Sequence, residues 1–201
     1  MRERLLRLVP EIDLIKDETL REKVISTWIQ ALEKGGWEPE EMCKIPFTLL
    51  IDGSEVSFLD HVRAVTKMVK AALDISKEFY GNKLSINEDL LIAGALLHDV
   101  GKLIEYELKG GEYVQTKIGK TLRHPFIGAA LAYLSGLPPE ISHIIAFHSH
   151  EGDHIKRSLE AILVNKIDLL NFELFKAKGE VISSGQDNNR ENSFKQTRQG
   201  G

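Results

Sequence analysis

The sequence predicts a mainly α-helical domain, a compact bundle carrying one or two small β-hairpins, and three observations lead there. Apolar residues recur at helical spacing in stretch after stretch. Helix start and stop residues bracket those stretches. Alternating, β-prone runs are confined to two short segments centred on Asp52–Gly53 and Gly110–Gly111.

Residues 1–44 are expected to form a helical segment packed on the core. A first helix over residues 2–9 stops at Pro10, and Asp17 caps a second in which Leu20, Val24, Ile25, Trp28 and Leu32 share a face, ended by Gly35 and Gly36. Residues 45–58 read as a β-hairpin turning at Asp52–Gly53. Residues 59–178 form the main helical domain. Its first helix opens near Asp60 and runs to Tyr80 with the stripe His61, Val65, Met68, Ala72, Ile75 and Phe79. Ser85 and Glu88 make a capping box for the next, which continues into LLIAGALLHDVGK, Leu90 to Lys102, with Gly101 as its stop. An almost wholly apolar helix is buried, and His98 shares its face with Ala95, Gly94 and Leu91, small enough to admit a neighbouring helix closely.

After Lys102 a second hairpin is expected about Gly110–Gly111. His124 stands directly before Pro125, a residue favoured at the first position of a helix, which puts the histidine at an N-cap. Pro138 and Pro139 open another helix, where Ile141, Ile144, Ile145 and His148 line one face and His143 turns away. His150 and His154 fall in a polar loop. A last helix, Ser158 to about Lys176, is apolar nearly all round and reads as central, with Asp168 in a stripe with Ala161, Val164 and Phe172. Residues 179–201 hold too few aliphatic side chains to bury themselves and read as a disordered tail.

The 201 residues suit one domain with ample core, and the net charge of −4 offers no footprint for bulk nucleic acid. A single cysteine, Cys43, forms no internal disulfide and suits a reducing cytoplasm, and no apolar run is long enough for a signal peptide or a membrane span. The expected setting is therefore cytoplasmic, with no membrane partner, and a homo-oligomer stays open.

His61, His98, Asp99, His124, His148 and Asp168 are the candidate metal ligands, most of them on interior helix faces. A buried imidazole beside a buried carboxylate is costly unless something pairs with both, and a divalent cation does so. The mixed nitrogen and oxygen set, without sulfur, suits manganese, iron, cobalt, nickel or zinc. One ion would take His61, His98, Asp99 and Asp168. A second would take His124 and His148 with Asp99 bridging, and two ions about 3.5 to 4 Å apart are the usual clamp for phosphoester hydrolysis.

LLHDVGK, with the upstream histidine of LDHVRAV and the downstream aspartate of NKIDLL, resembles the HD-domain superfamily of metal-dependent phosphohydrolases over His61 to Phe172. The segments RHPFIG and AFHSH are similar to the extra histidines of its binuclear branches, which carries over to His124 and His148. The resemblance implies an HD-type helical bundle and hydrolysis of a phosphodiester or phosphoanhydride in a nucleotide-like small molecule. Asp99 and Lys102 would then be catalytic, Lys102 and Arg123 would contact substrate phosphate, and one or two divalent transition metal ions would be the cofactor. The cyclic dinucleotide branch has adjacent histidines and a GYP motif, whereas here Ser149 separates His148 from His150 and no GYP occurs. Two other readings fit the ligand set, a di-iron oxygenase of the same superfamily and an inert, metal-stabilised binding module.

Overall fold

A computed structural model describes residues 1–51 and 55–196, with side chains through residue 178. Among the described residues eight α-helices and one two-stranded hairpin follow in order: α1 Arg2–Leu8, α2 Glu18–Gly35, α3 Phe58–Tyr80, α4 Glu88–Leu97, α5 Lys102–Glu105, β1 Tyr106–Lys109, β2 Glu112–Gln115, α6 Lys117–Leu134, α7 Pro139–Phe147 and α8 Leu159–Gln196. The mainly helical class expected from periodicity is what the chain adopts.

The N-terminal segment is part of the core. Leu5, Val9, Ile12 and Ile15 are completely buried and pack in one cluster with Val24, Trp28 and Leu32 of α2 and with Ile92, Leu96 and Leu97 of α4. Trp28 meets Phe58 edge to face at 5.8 Å, and Trp37 donates its indole N–H to Leu103 O at 2.7 Å. A second cluster joins Val65, Val69 and Leu73 of α3 to Leu91 and Ala95 of α4, Ile144 of α7 and Ala161 and Val164 of α8. Helix α4 serves both clusters, and each of its fully buried large side chains stabilises the fold by about 1.5–3 kcal/mol. A Cβ on Gly94 would stand 2.7 Å from two carbons of Ile144, so the missing side chain sets how closely α7 packs on α4.

Caps follow the sequence with some shifts. Asp17 accepts from Leu20 N–H at 3.0 Å, and Gly36 ends α2 with a left-handed φ of 73°. Helix α4 is capped by Asn87, which accepts from Leu90 N–H at 3.1 Å, rather than by the Ser85–Glu88 pair, because the helix begins later than that pair requires. The buried face of α3 is Val62, Thr66, Val69 and Leu73 with His61 and Val65, while Met68, Ile75 and Phe79 are exposed. His61 lies at the edge of the stripe, not at its centre, and this rotates the expected register. Helix α8 is peripheral: Ala161 and Val164 are buried, but Ile162, Leu169, Leu170 and Leu174 face outward.

The hairpin expected over 45–58 reduces, among the described residues, to one bridge between Pro46 and Ser57. Pro46 has no N–H to give a ladder, and the adjacent Phe47 and Thr48 are both buried, which a pleated strand would send to opposite faces. Its expected turn at Asp52–Gly53 lies outside the described residues, as does the end of the 179–201 tail, whose side chains are not described. The second hairpin forms as expected, with Tyr106 opposite Gln115 and Lys109 opposite Glu112, and with positive φ at Gly110 and Gly111. No helix among the described residues is long and apolar enough to cross a membrane.

Candidate metal centre

Six side chains from five places in the chain meet where α4 ends. His61 comes from the first turn of α3, fixed by Ser57, whose hydroxyl accepts from Asp60 N–H at 3.0 Å. His98 follows the last residue of α4, and Asp99 the turn beyond it. His124 comes from a break within α6, His148 from the end of α7, and Asp168 from α8. His61, His98, Asp99 and His148 are at most 3% exposed and His124 6%, so their charges and lone pairs must be satisfied by one another or by a bound ion.

Their atoms form two groups that share Asp99. In the first, His61 Nε2 and His98 Nε2 are 3.3 Å apart and each lies 3.4 Å from Asp99 Oδ2. Asp168 Oδ1 adds a carboxylate oxygen 3.0 Å from His61 Nε2 and 3.8 Å from His98 Nε2. In the second, Asp99 Oδ1 is 3.2 Å from His124 Nε2 and 3.6 Å from His148 Nε2. The triads His61, His98, Asp99 and Asp99, His124, His148 each bring their donor atoms close enough to hold one ion.

The tautomers suit such an ion. His98 Nδ1 lies 2.7 Å from Ala95 O and His148 Nδ1 lies 2.7 Å from Ile145 O. A carbonyl only accepts, so both rings carry their proton on Nδ1 and turn the Nε2 lone pair inward. His124 does the same toward a carboxylate, with Nδ1 2.7 Å from Glu105 Oε2. Burial lowers the His124 pKa to about 4 against the pull of Glu105 and Asp99, which keeps the ring neutral and able to coordinate. Convergent lone pairs beside an anionic Asp99 need a positive centre, and the donor set fits a borderline divalent metal.

Without an ion, protons and Lys102 supply that charge. Burial works against the charged form of Asp99, yet the Lys102 ammonium and His98 outweigh it and hold the carboxyl well below its usual range. Burial also opposes ionisation of Asp168, but the hydrogen bond from His61 wins and its pKa falls to about 2. His61 in turn is disfavoured as a cation by burial, and Asp168 and Asp99 raise it nonetheless. A divalent ion and a His61 proton therefore compensate the same two carboxylates.

Lys102 stands differently from a phosphate-seeking lysine. Its ammonium donates to Asp99 Oδ2 at 2.6 Å and to Phe47 O at 2.5 Å, and only 7% of the residue is exposed. Burial opposes its charge but Asp99 raises its pKa. Phe47 itself lies against the His61 ring at 4.9 Å and against Phe175 at 5.7 Å, so Phe47 roofs the first group.

Arg123 sits at the rim. Its φ of 57° and ψ of 157° break α6, the one positive φ of a non-glycine residue among the described residues. The helix start expected at Pro125, with His124 as its N-cap, falls inside α6, and the break at Arg123, one residue before His124, is what remains of it. The Arg123 Nη1 lies 3.0 Å from His150 Nε2 and 3.2 Å from Glu151 Oε1. The structure thus keeps His150 at the surface, outside both groups, while His148 is buried within one. Gly101 is where the sequence put a stop, but its φ is an ordinary −64°. What requires glycine is space: a Cβ there would stand 2.1 Å from His124 O.

Glu105 escaped the sequence reading. An acid one turn beyond Lys102, in an otherwise apolar run leading to a hairpin, was the available signal.

The chain is 32% identical over 172 residues to the dihydroneopterin 2',3'-cyclic phosphate phosphodiesterase of Methanocaldococcus jannaschii, covering 81% of this chain and 66% of that protein. It is 31% identical over 102 residues to ribonuclease Y of Desulforudis audaxviator and 33% identical over 102 residues to that of Acidothermus cellulolyticus. Those two matches cover 51% of this chain but only 17% and 18% of the ribonucleases. No solved structure matches the chain. The HD domain profile matches residues 58–172, a span that runs from the start of α3 through His61, His98, Asp99, His124, His148 and Asp168, and on that match the chain belongs to the HD domain family.

Proposed function

We propose that the protein is a metal-dependent phosphodiesterase that opens a cyclic or otherwise strained phosphodiester in a nucleotide-like small molecule. The observation that carries this reading is the sharing of Asp99: one oxygen faces His61 and His98, the other His124 and His148. His61, His98, Asp99 and Asp168 would hold one ion, and Asp99, His124 and His148 a second. When bound, such ions supply a water of near-neutral pKa and Lewis acidity toward phosphoryl oxygens.

The chain's own groups prepare that chemistry. Ala95 O and Ile145 O hold the His98 and His148 rings so that Nε2 points inward. Lys102 fixes Asp99 through Oδ2, which leaves Oδ1 to the His124 side, and this favours a positioning role for the lysine over direct contact with phosphate. Arg123 uses only Nη1 toward described partners, so Nε and Nη2 remain for a phosphate at the rim, where a planar fork suits two phosphoryl oxygens. In the overall reaction water oxygen bonds to phosphorus, one ester P–O bond breaks, and the proton ends on the leaving alkoxide.

The Methanocaldococcus jannaschii relative is named for a 2',3'-cyclic phosphate, which supports a cyclic diester over an acyclic one. The test is a panel of 2',3'-cyclic phosphodiesters, phosphomonoesters and dinucleoside polyphosphates, assayed with manganese, iron, cobalt, nickel or zinc. Metal-dependent opening of the cyclic diesters to monoesters, abolished in Asp99→Asn, is expected. Turnover of phosphomonoesters alone, or activity that survives chelation, would overturn the assignment.

A further inference from the structure

Glu105 is the last residue of α5, only 2% exposed, and its carboxylate reaches the donor atoms through His124. Its Oε2 accepts twice from that residue, from the ring Nδ1 at 2.7 Å and from the backbone N–H at 2.8 Å. The second bond exists because Arg123 leaves the helical region: the break turns the His124 N–H out of the helix ladder, where it would be orphaned without an acceptor. Ring and backbone of one histidine thus hang on one carboxylate oxygen.

Glu105 is itself aimed from two sides. Its Oε1 accepts from Gln115 Nε2 at 2.7 Å, at the end of β2. Thr116 N–H donates to Glu105 O at 2.8 Å. From α6, Gly119 approaches so closely that a Cβ there would stand 2.6 Å from Glu105 O and 2.7 Å from its Cγ. The hairpin, exposed along β1 beyond Tyr106 and half-buried along β2, has in this contact a role at the centre.

We infer that Glu105 is a positioning residue that commits His124 to the second ion, and that Gln115 on the hairpin holds it to that task. An anionic acceptor on Nδ1 fixes the tautomer and raises the electron density at Nε2, strengthening it as a donor. The backbone bond holds the Arg123–His124 break in the geometry that brings the ring to Asp99. The inference rests on the two-ion reading above and deepens it, by predicting that the two ions differ in what supports them.

The experiment is a cobalt(II) titration of metal-free protein, followed by calorimetry and by the visible absorption of the bound ion. Wild type should take two ions. Glu105→Gln keeps size and an acceptor but removes the charge, and should weaken the second ion about 10- to 100-fold while leaving the first unchanged. Gln115→Ala, which touches no candidate ligand and leaves Glu105 in place, should weaken the second ion in the same direction but less. Thermal unfolding of the metal-free variants separates these effects from misfolding. Wild-type affinity for both ions in Glu105→Gln, or equal weakening of both, would overturn the inference, as would a wild type that takes only one ion. A protein that binds two ions with this asymmetry yet hydrolyses no phosphodiester would leave the inference standing and remove the function proposed above.

Discussion

Gly101 and His124 meet backbone to side chain position: a Cβ on Gly101 would lie 2.1 Å from the carbonyl oxygen of His124 and 2.8 Å from the backbone nitrogen of Gly128. The turn after His98–Asp99 and the break in α6 are thus in direct contact, and the two halves of the candidate centre are brought together by the absence of one methyl group.

Gly101→Ala should therefore separate them. The obstacle is backbone, which cannot rotate away, so a destabilisation of at least about 1–3 kcal/mol is expected, the usual cost of overpacking. Denaturant unfolding of the metal-free protein measures it. The second ion should also be lost before the first, because His124 moves with α6 while His61 and His98 do not.

Lys102→Ala should act on stability and metal affinity more than on a phosphate contact. Removing the ammonium leaves Asp99 with a buried, less compensated charge, a change that typically costs about 3–5 kcal/mol. Added divalent ion should recover much of the loss, since it supplies the missing positive charge. Unfolding midpoints with and without metal check this. A variant as stable as wild type in metal-free form would return Lys102 to a purely substrate-facing role.

His148→Ala and His150→Ala should differ sharply. His148 Nε2 is 3.6 Å from Asp99 Oδ1 and the residue is buried, whereas the His150 side chain is 63% exposed and leans on Arg123. Elemental analysis should find less metal in His148→Ala and a wild-type amount in His150→Ala, with any effect of the latter confined to KM.

Acid should weaken the N-terminal packing through Glu11. Burial raises the pKa of this nearly inaccessible carboxyl, but the Arg63 guanidinium at 2.9 Å outweighs it and the net shift is downward. The unfolded value is near 4.5 and the folded value lower, so the stabilisation is fully present above 4.5 and lost as pH falls through the folded value. Arg63 is a third exposed, so solvent screening holds the effect to about 1 kcal/mol. Stability curves from pH 6 to pH 3 should be flatter for Glu11→Gln than for wild type below pH 4.5.

Much of this was legible in the sequence because helical spacing is a strong constraint. The caps at Asp17 and Gly36, the hairpin at Gly110–Gly111 and the inward face of Ile141, Ile144, Ile145 and His148 follow from local rules and are what the chain forms. The six polar residues singled out along the chain are brought together. What local rules could not supply is contact between distant segments. Nothing near Lys102 announces Phe47 O as its partner, and nothing near Glu105 announces His124. The positive φ of Arg123 is held by tertiary contacts, and Pro125 hinted only at a boundary. In α3 helical spacing from His61 points to a stripe through Met68, Ile75 and Phe79, whereas packing buries Val62, Thr66, Val69 and Leu73.

Anomalous diffraction from crystals grown with manganese tests directly for a two-ion centre bridged by Asp99. Two peaks are expected about 3.5–4 Å apart, one among His61, His98 and Asp168, the other between His124 and His148, with the Asp99 carboxylate between them. A single peak among His61, His98 and Asp168 with the His124 and His148 rings unliganded, or no peak at these residues at all, would contradict it.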